Sequence, residues 1–144
     1  MKVVLDTNVL GAATTPSESL HPQALELVRR LQERKDQVFL PSVVVAELGV
    51  DYLQRGAIRE WDAFLDNLRR EEMYRVIPFG LELADKAARL RVGSRLKLPD
   101  AVVGVSAISV GADLLVTEDP DLKRLRGKVP VEDVRRALKM LRSS

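Results

Sequence analysis

Apolar residues along this chain switch between two spacings, and the switches mark strands alternating with helices. Lys2-Val3-Val4-Leu5 is a short β-branched run that ends at Asp6, the pattern of a buried strand. The stretch from Gly11 to Ser19, rich in Ala, Thr, Pro and Ser, reads as a loop. Beyond Pro22, Leu25, Leu27, Val28 and Leu31 recur at helical spacing with Arg29, Arg30 and Glu33 outside. Gln37-Val38-Phe39-Leu40 predicts a second strand, stopped by Pro41. Ser42 is a candidate cap for a helix running through Glu47 to about Gln54 and ending before Gly56, although Val43 to Val45 weaken helix propensity. Trp61, Phe64, Leu65 and Leu68 then mark one face of a helix from Ile58 to Glu72.

Tyr74 to Phe79 reads as a third strand, followed by a helix from about Leu81 to Arg91. Pro99-Asp100 opens a helix almost free of charge until Asp113, whose small residues Ala101, Gly104, Ala107 and Gly111 suit close backbone packing. Leu114 to Thr117 predicts a fourth strand, which delivers the acidic run Glu118-Asp119-Pro120-Asp121. Lys128 to Val131 is a candidate fifth strand, and Val134, Leu138 and Leu141 line a last helix from about Val131 to Leu141. Strands separated by helices imply an α/β class: a parallel sheet of four to five strands, flanked by helices, whose ligands sit beyond the carboxyl ends of the strands.

The 144 residues are expected to form one domain, 1–144, without internal repeats. A hydrophobic fraction of 46% argues against disorder. The sequence has no cysteine, which excludes disulfides, thiolate zinc sites and a cysteine nucleophile. Met1 leads too quickly to Asp6 for a signal peptide, and the weakly polar run Ala101 to Val116 is short of a membrane span. A cytoplasmic protein without membrane association is expected. Net charge is +2, from 23 basic and 21 acidic residues, a mild excess compatible with a polyanionic partner. Aromatics make up only 4%, so base-stacking platforms are not evident and any nucleic acid would be held through its phosphates.

The acids fall where such a sheet would bring them together. Asp6 and Asp119 lie just past two strand ends, Asp100 lies in a first helical turn, and Glu47 is embedded in Val43-Val44-Val45-Ala46-Glu47-Leu48. Each has an ordinary alternative: Asp100 as complement to a helix dipole, Asp6, Asp119 and Asp121 as turn acids, Glu47 on an exposed face. Asp51, Glu118 and Asp133 read as ordinary surface acids. Taken together the first four are harder to dismiss. Two like charges about 4 Å apart repel by roughly 4 kcal/mol at an effective dielectric near 20. Carboxylates gathered in one pocket therefore call for a cation, and with one histidine and no cysteine the donors are hard oxygens that favour Mg²⁺ or Mn²⁺. The chemistry suggested is phosphoryl transfer.

The ordered segments Asp6-Thr7-Asn8-Val9-Leu10, Val45-Ala46-Glu47-Leu48, Leu98-Pro99-Asp100-Ala101 and Thr117-Glu118-Asp119 resemble the landmarks of the PIN-domain nucleases, in particular the VapC-like toxins of toxin–antitoxin pairs. The resemblance runs from Lys2 to about Arg126. It implies a PIN-like three-layer sandwich, usually a homodimer, that cleaves single-stranded RNA with Mg²⁺ or Mn²⁺ and is held by an antitoxin protein. By matching positions, Asp6, Glu47, Asp100 and Asp119 would form the catalytic, metal-holding quartet. Asn8 and Thr117 would orient them, and Asp121 corresponds to a less regular family acid. Leu122 stands where members often carry an aromatic residue, and a strand-rich carboxyl end is replaced here by helical pattern. Water would attack phosphorus in line and leave 5′-phosphate and 3′-hydroxyl ends. An RNA-processing nuclease without a toxin role and a non-catalytic RNA-binding module are the alternatives.

Arg89, Arg91, Arg95 and Lys97 precede Asp100, and Lys123, Arg124, Arg126 and Lys128 follow Asp119. Flanking the acids, they are candidates to hold phosphates, with Arg95, Lys97, Lys123 and Arg124 nearest; otherwise they solvate helices. His21 is the sole histidine, which excludes a histidine-pair ribonuclease, and it reads as structural. No Gly-x-Ser-x-Gly turn supports a serine hydrolase. A phospho-receiver domain is disfavoured because Asp6 stands alone and Phe79 is followed by Gly80.

Overall fold

Two of the apolar runs are buried along nearly their whole length, and they lie side by side at the centre of a parallel sheet. The computed structural model describes residues 1–142. Its strands are β1 (Lys2–Leu5), β2 (Gln37–Pro41), β3 (Tyr74–Ile77), β4 (Leu114–Val116) and β5 (Val131–Glu132), in the spatial order β3-β2-β1-β4-β5. All four pairings are parallel, and β1 meets β4 with Val4 opposite Leu115 and Leu5 opposite Val116. Helices α1 (Thr7–Thr14), α2 (His21–Glu33), α3 (Ser42–Gln54), α4 (Ile58–Arg70), α5 (Leu81–Ser94), α6 (Leu98–Ser109) and α7 (Val134–Arg142) complete the sandwich. Because crossover helices cover both faces, the central strands carry no polar alternation. Val3, Val4, Leu5, Leu114, Leu115 and Val116 are all buried.

Three of the strands and most helices form where the periodicity places them; the third strand ends at Ile77 rather than Phe79, and the fifth is Val131–Glu132 rather than Lys128 to Val131. The segment read as a loop from Gly11 continues the helix α1 to Thr14. Asp6 begins it as N-cap, accepting from the Thr7 N–H at 2.8 Å, and burial of Val9, Leu10, Ala12 and Ala13 sustains it. Small Ala and Thr residues there serve tight packing rather than a turn. Pro41 does not stop β2 but ends it, pairing with Ile77, and it takes the cap position of α3, so Ser42 is helical and makes no cap bond. The final helix starts at Val134 rather than near Val131, since Val131 and Glu132 pair with β4 and the Asp133 carboxylate accepts from the Arg136 N–H at 2.8 Å. Pro120–Leu125 forms a 3₁₀ turn not anticipated from the turn-like residues.

His21 does serve structure: its Nδ1 lies 2.7 Å from the Ala12 carbonyl, tying α2 to α1. Among the described residues no helix is long and apolar enough to cross a membrane.

Two glycines are fixed by close approach. A Cβ on Gly104 in α6 would lie 2.6 Å from Leu125 Cδ1, so the bare backbone is what seats the 3₁₀ turn on this helix. A Cβ on Gly49 in α3 would lie 2.5 Å from Trp61 Cζ2. That ring is buried and packs against Tyr52 at 5.9 Å and Phe64 at 5.8 Å, centroid to centroid, so moving it would disturb both neighbours. Alanine ordinarily gains about 1 kcal/mol over glycine inside a helix, whereas overpacking a core costs about 1–3 kcal/mol. Against a rigid indole the second effect wins. Gly49→Ala is expected to lower stability by about 1 kcal/mol or more, read as a lower urea midpoint at unchanged slope.

Candidate active site

The sheet order puts the ends of β1 and β4 next to each other, and the first residues beyond them carry the polar chemistry. Asp6 is 7% exposed and Thr117 4%, two of the three buried polar side chains in the described structure. The Thr117 hydroxyl donates to Asp6 Oδ2 at 2.6 Å and accepts from the Asp119 N–H at 3.1 Å. Asn8 joins the same two strand ends: its Nδ2 donates to Asp6 Oδ2 at 3.5 Å, and its Oδ1 accepts from the Glu118 N–H at 3.1 Å. Asp119 caps the 3₁₀ turn, its Oδ1 accepting from the Asp121 N–H at 2.9 Å. Both side chains expected to orient the acids, Asn8 and Thr117, therefore touch Asp6 directly.

Asp100 enters from the first turn of α6, where Lys97 and Pro99 fix the helix start. Ligand oxygens of Asp100, Asp119 and Asp121 all lie within 4.8 Å of one another. Asp121, ranked behind Asp119 in the sequence, is thus a full member of this group. Asp6 sits behind it as the buried fourth acid, close enough for its charge to act on Asp100. Glu47 is exposed on α3, not embedded as its apolar neighbours suggest; the helix turns Val44 and Leu48 inward and Glu47 outward. It is nevertheless linked to the site, because the Thr7 hydroxyl donates to Glu47 Oε1 at 2.9 Å. Nothing in the local sequence marks Thr7 beyond its place between Asp6 and Asn8. Glu118, read as an ordinary surface acid, accepts from the Val134 N–H at 2.8 Å and so anchors the start of α7 behind the acids.

The basic candidates divide. Lys97 is near enough to lower the Asp100 pKa, and Arg124 Nη2 lies 3.8 Å from Asp121 Oδ1. Arg95 caps α5 in a left-handed conformation, φ 61°, with its side chain exposed, and Lys123 is exposed on the 3₁₀ turn.

Burial and mutual repulsion set the electrostatics. Burial raises the Asp6 pKa, against the opposing bonds from Thr117 and Thr7, and the Asp119 charge raises it further. Burial, followed by the charges of Asp119, Asp6 and Asp121, pushes Asp100 up to about 6, with Lys97 acting in the opposite sense. Sites that crowd acids in this way stabilise a bound cation. The donor set fits a small divalent ion: all its donors are hard carboxylate oxygens, and one from each of three acids lies within 4.8 Å of the others.

A parallel α/β sandwich with acids gathered past its central strands is the PIN-like class. The chain belongs to the PIN-domain family, whose pattern matches residues 3–128. Solved structures agree in fold. VapBC2 from Rickettsia felis bound to a promoter DNA fragment is 21% identical, with TM-score 0.69 over 92% of this chain and 98% of that one. VapC20 from Mycobacterium tuberculosis, a sarcin-ricin loop cleaving toxin, is 20% identical, with TM-score 0.68 over 84% and 92%. FitAcB from Neisseria gonorrhoeae is 18% identical, with TM-score 0.70 over 92% and 98%. No curated protein sequence matches significantly.

Two measurements test this electrostatic description. Thr117→Val strips Asp6 of its shortest bond and leaves a buried carboxylate underserved, so it is expected to cost about 1–3 kcal/mol in chemical denaturation. Because the folded chain holds the Asp100 proton more tightly than the unfolded chain, Asp100 favours folding most below its ordinary pKa of 3.8 and loses that contribution as pH rises to about 6. In chelator, Asp100→Asn is therefore expected to remove part of the fall in melting temperature between pH 4 and pH 7, and to melt a few degrees higher than wild type at about pH 7.

Proposed function

We propose that the chain is a metal-dependent endoribonuclease that hydrolyses phosphodiester bonds in single-stranded RNA, and the toxin of a toxin–antitoxin pair. The observation that carries this reading is the convergence of Asp100, Asp119 and Asp121 within 4.8 Å, backed by buried Asp6, at the carboxyl end of a PIN-family sheet. Similarity to VapC20, a toxin that cleaves the sarcin-ricin loop, supports RNA as substrate. Similarity to the VapBC and FitAcB structures supports an antitoxin partner. A homodimer is part of the same proposal, as is a cytoplasmic location, which the absence of cysteine suits.

Asp6, Asp100, Asp119 and Asp121 would hold Mg²⁺ or Mn²⁺, with Glu47 at the margin. When bound, such an ion polarises the phosphoryl group and lowers the pKa of water. The protein's own residues do the rest. Thr117 and Asn8 hold Asp6 in one orientation, and the backbone N–H groups of Asp119 and Asp121 set the reach of the 3₁₀ turn. Glu47, which accepts from Thr7, would be the carboxylate that orients the attacking water or takes its proton. Lys97 and Arg124, beside Asp100 and Asp121, offset phosphate charge at the edges. Acceptance of RNA rather than DNA would come from contacts away from the reacting phosphate.

Purified protein incubated with labelled single-stranded RNA is expected to cut it in Mn²⁺ and not in EDTA, leaving 5′-phosphate ends. Asp6→Asn and Asp119→Asn should each reduce the rate by at least about 100-fold while remaining folded. Cleavage that persists in EDTA, or that these variants leave intact, overturns the metal reading.

A further inference from the structure

Basic residues that lie far apart in the sequence, on either side of the acids, meet along one groove. A cavity of about 840 Å³ runs between α5, α6 and the 3₁₀ turn, with Lys86, Arg89, Arg124 and Lys128 among its lining residues and no carboxylate there. Its apolar surface includes Leu90 and Leu125, both drawn close to α6 at Gly104, where a side chain would collide with Leu125. Arg89 shares its charge with Asp85 at 3.1 Å and Arg124 with Asp121 at 3.8 Å, both exposed pairs of little energetic weight. Lys86 and Lys128 form no ion pair among the described residues, and both are exposed. The chain's net charge of +2 therefore understates the local field at this groove.

The groove and the acid cluster are linked through one residue. Arg124 lines it and contacts Asp121, one of the three clustered acids. Helix α6 carries Asp100 of the cluster in its first turn and ends at Ser109 in the groove, about 14 Å further along at 1.5 Å per residue. A second cavity, between α1, α2 and α4, mixes Arg29 with Glu72 and lacks this single sign of charge.

We propose that the groove is the track for the RNA strand on one side of the cut, with Lys86, Arg89, Arg124 and Lys128 holding its phosphates and the aliphatic surface accommodating sugars and bases. This rests on the ribonuclease reading and deepens it. An acidic protein segment would match the same charges, but the link through Arg124 to a site read as phosphate-processing favours a polynucleotide. With no aromatic ring in the lining, the grip is electrostatic and tolerant of sequence.

The test is Lys86→Glu combined with Lys128→Glu, neither of which belongs to the acid site. Affinity for a labelled oligouridylate about 20 nucleotides long, measured by anisotropy in EDTA so that it is not cut, should fall by at least about tenfold. The slope of log affinity against log salt should become shallower by about 1.4, since each lost single-strand phosphate contact accounts for about 0.7. In Mn²⁺, cleavage of the long strand should fall while that of a dinucleotide, too short to reach the groove, is unchanged. The Lys86→Ala, Lys128→Ala pair should shift binding in the same direction by less, with unaltered melting temperature. Unchanged RNA affinity overturns the track, as does an equal loss on the dinucleotide. Weakened binding of an oligoglutamate of similar length, with RNA unaffected, would assign the groove to acidic protein instead. If wild type cuts neither substrate, the ribonuclease reading fails separately, and the binding measurement alone decides the groove.

Discussion

The structure turns on one buried carboxylate. Asp6 ends the central strand, nearly sealed from solvent, within range of the charges of Asp119 and Asp100. A buried acid is tolerated only when its oxygens are satisfied, and Asp6 is served from three directions by the Thr7 N–H, the Thr117 hydroxyl and the Asn8 amide. Two of those bonds come from its own chain direction and one from a strand end 111 residues later. Folding β1 against β4 and assembling the site are therefore one event. A slip in the parallel register would lose the Thr117 contact and strand the carboxylate.

The same crowding explains why the site is costly and what it is suited to hold. Raised pKa values at Asp6 and Asp100 mean that the ionised forms are disfavoured in the folded chain. Nothing in the core demands these acids; apolar residues of similar size would be cheaper. The cost is offset by extensive burial elsewhere, in strands covered on both faces and helices fitted at Gly49 and Gly104. Stability resides in the sheet and its helices, and the electrostatic cost in the acids past its central strands.

Much of this was legible in the sequence because the signals were local. Apolar runs such as Val3 to Leu5 and Leu114 to Val116 declare buried strands, and the spacing of Trp61, Phe64 and Leu68 declares a helix face. The positions of Asp6 and Asp119 follow from strand ends alone. What was not legible depended on tertiary choices. Whether Gly11 to Thr14 is loop or helix is decided by burial against the body of the protein, not by its residues, which suit either. Whether Glu47 is embedded or exposed is open in the sequence for a related reason: its apolar neighbours are helical, so they face several directions, and the burial of Val44 and Leu48 shows that Glu47 points out. Thr7 and Glu118 act through bonds to residues 40 and 16 positions away, which no local pattern encodes.

Glu118 also shows how the carboxyl-terminal part of the chain takes part in the site. The family pattern ends at residue 128, yet β5 and α7 follow it closely. β5 extends the sheet beside β4, the Thr117 N–H donates to the Glu132 carbonyl at 3.0 Å, and Glu118 accepts from the first N–H of α7. The Asn8 amide holds Glu118 from the other side. The short segment bearing Thr117 and Asp119 is thus clamped between β1 and α7, leaving the acids little backbone freedom. Preorganisation of this kind matters most where like charges must stay close, because a loose segment would relax by moving them apart. The terminal helix, with no acid of its own in the cluster, contributes by denying them that escape.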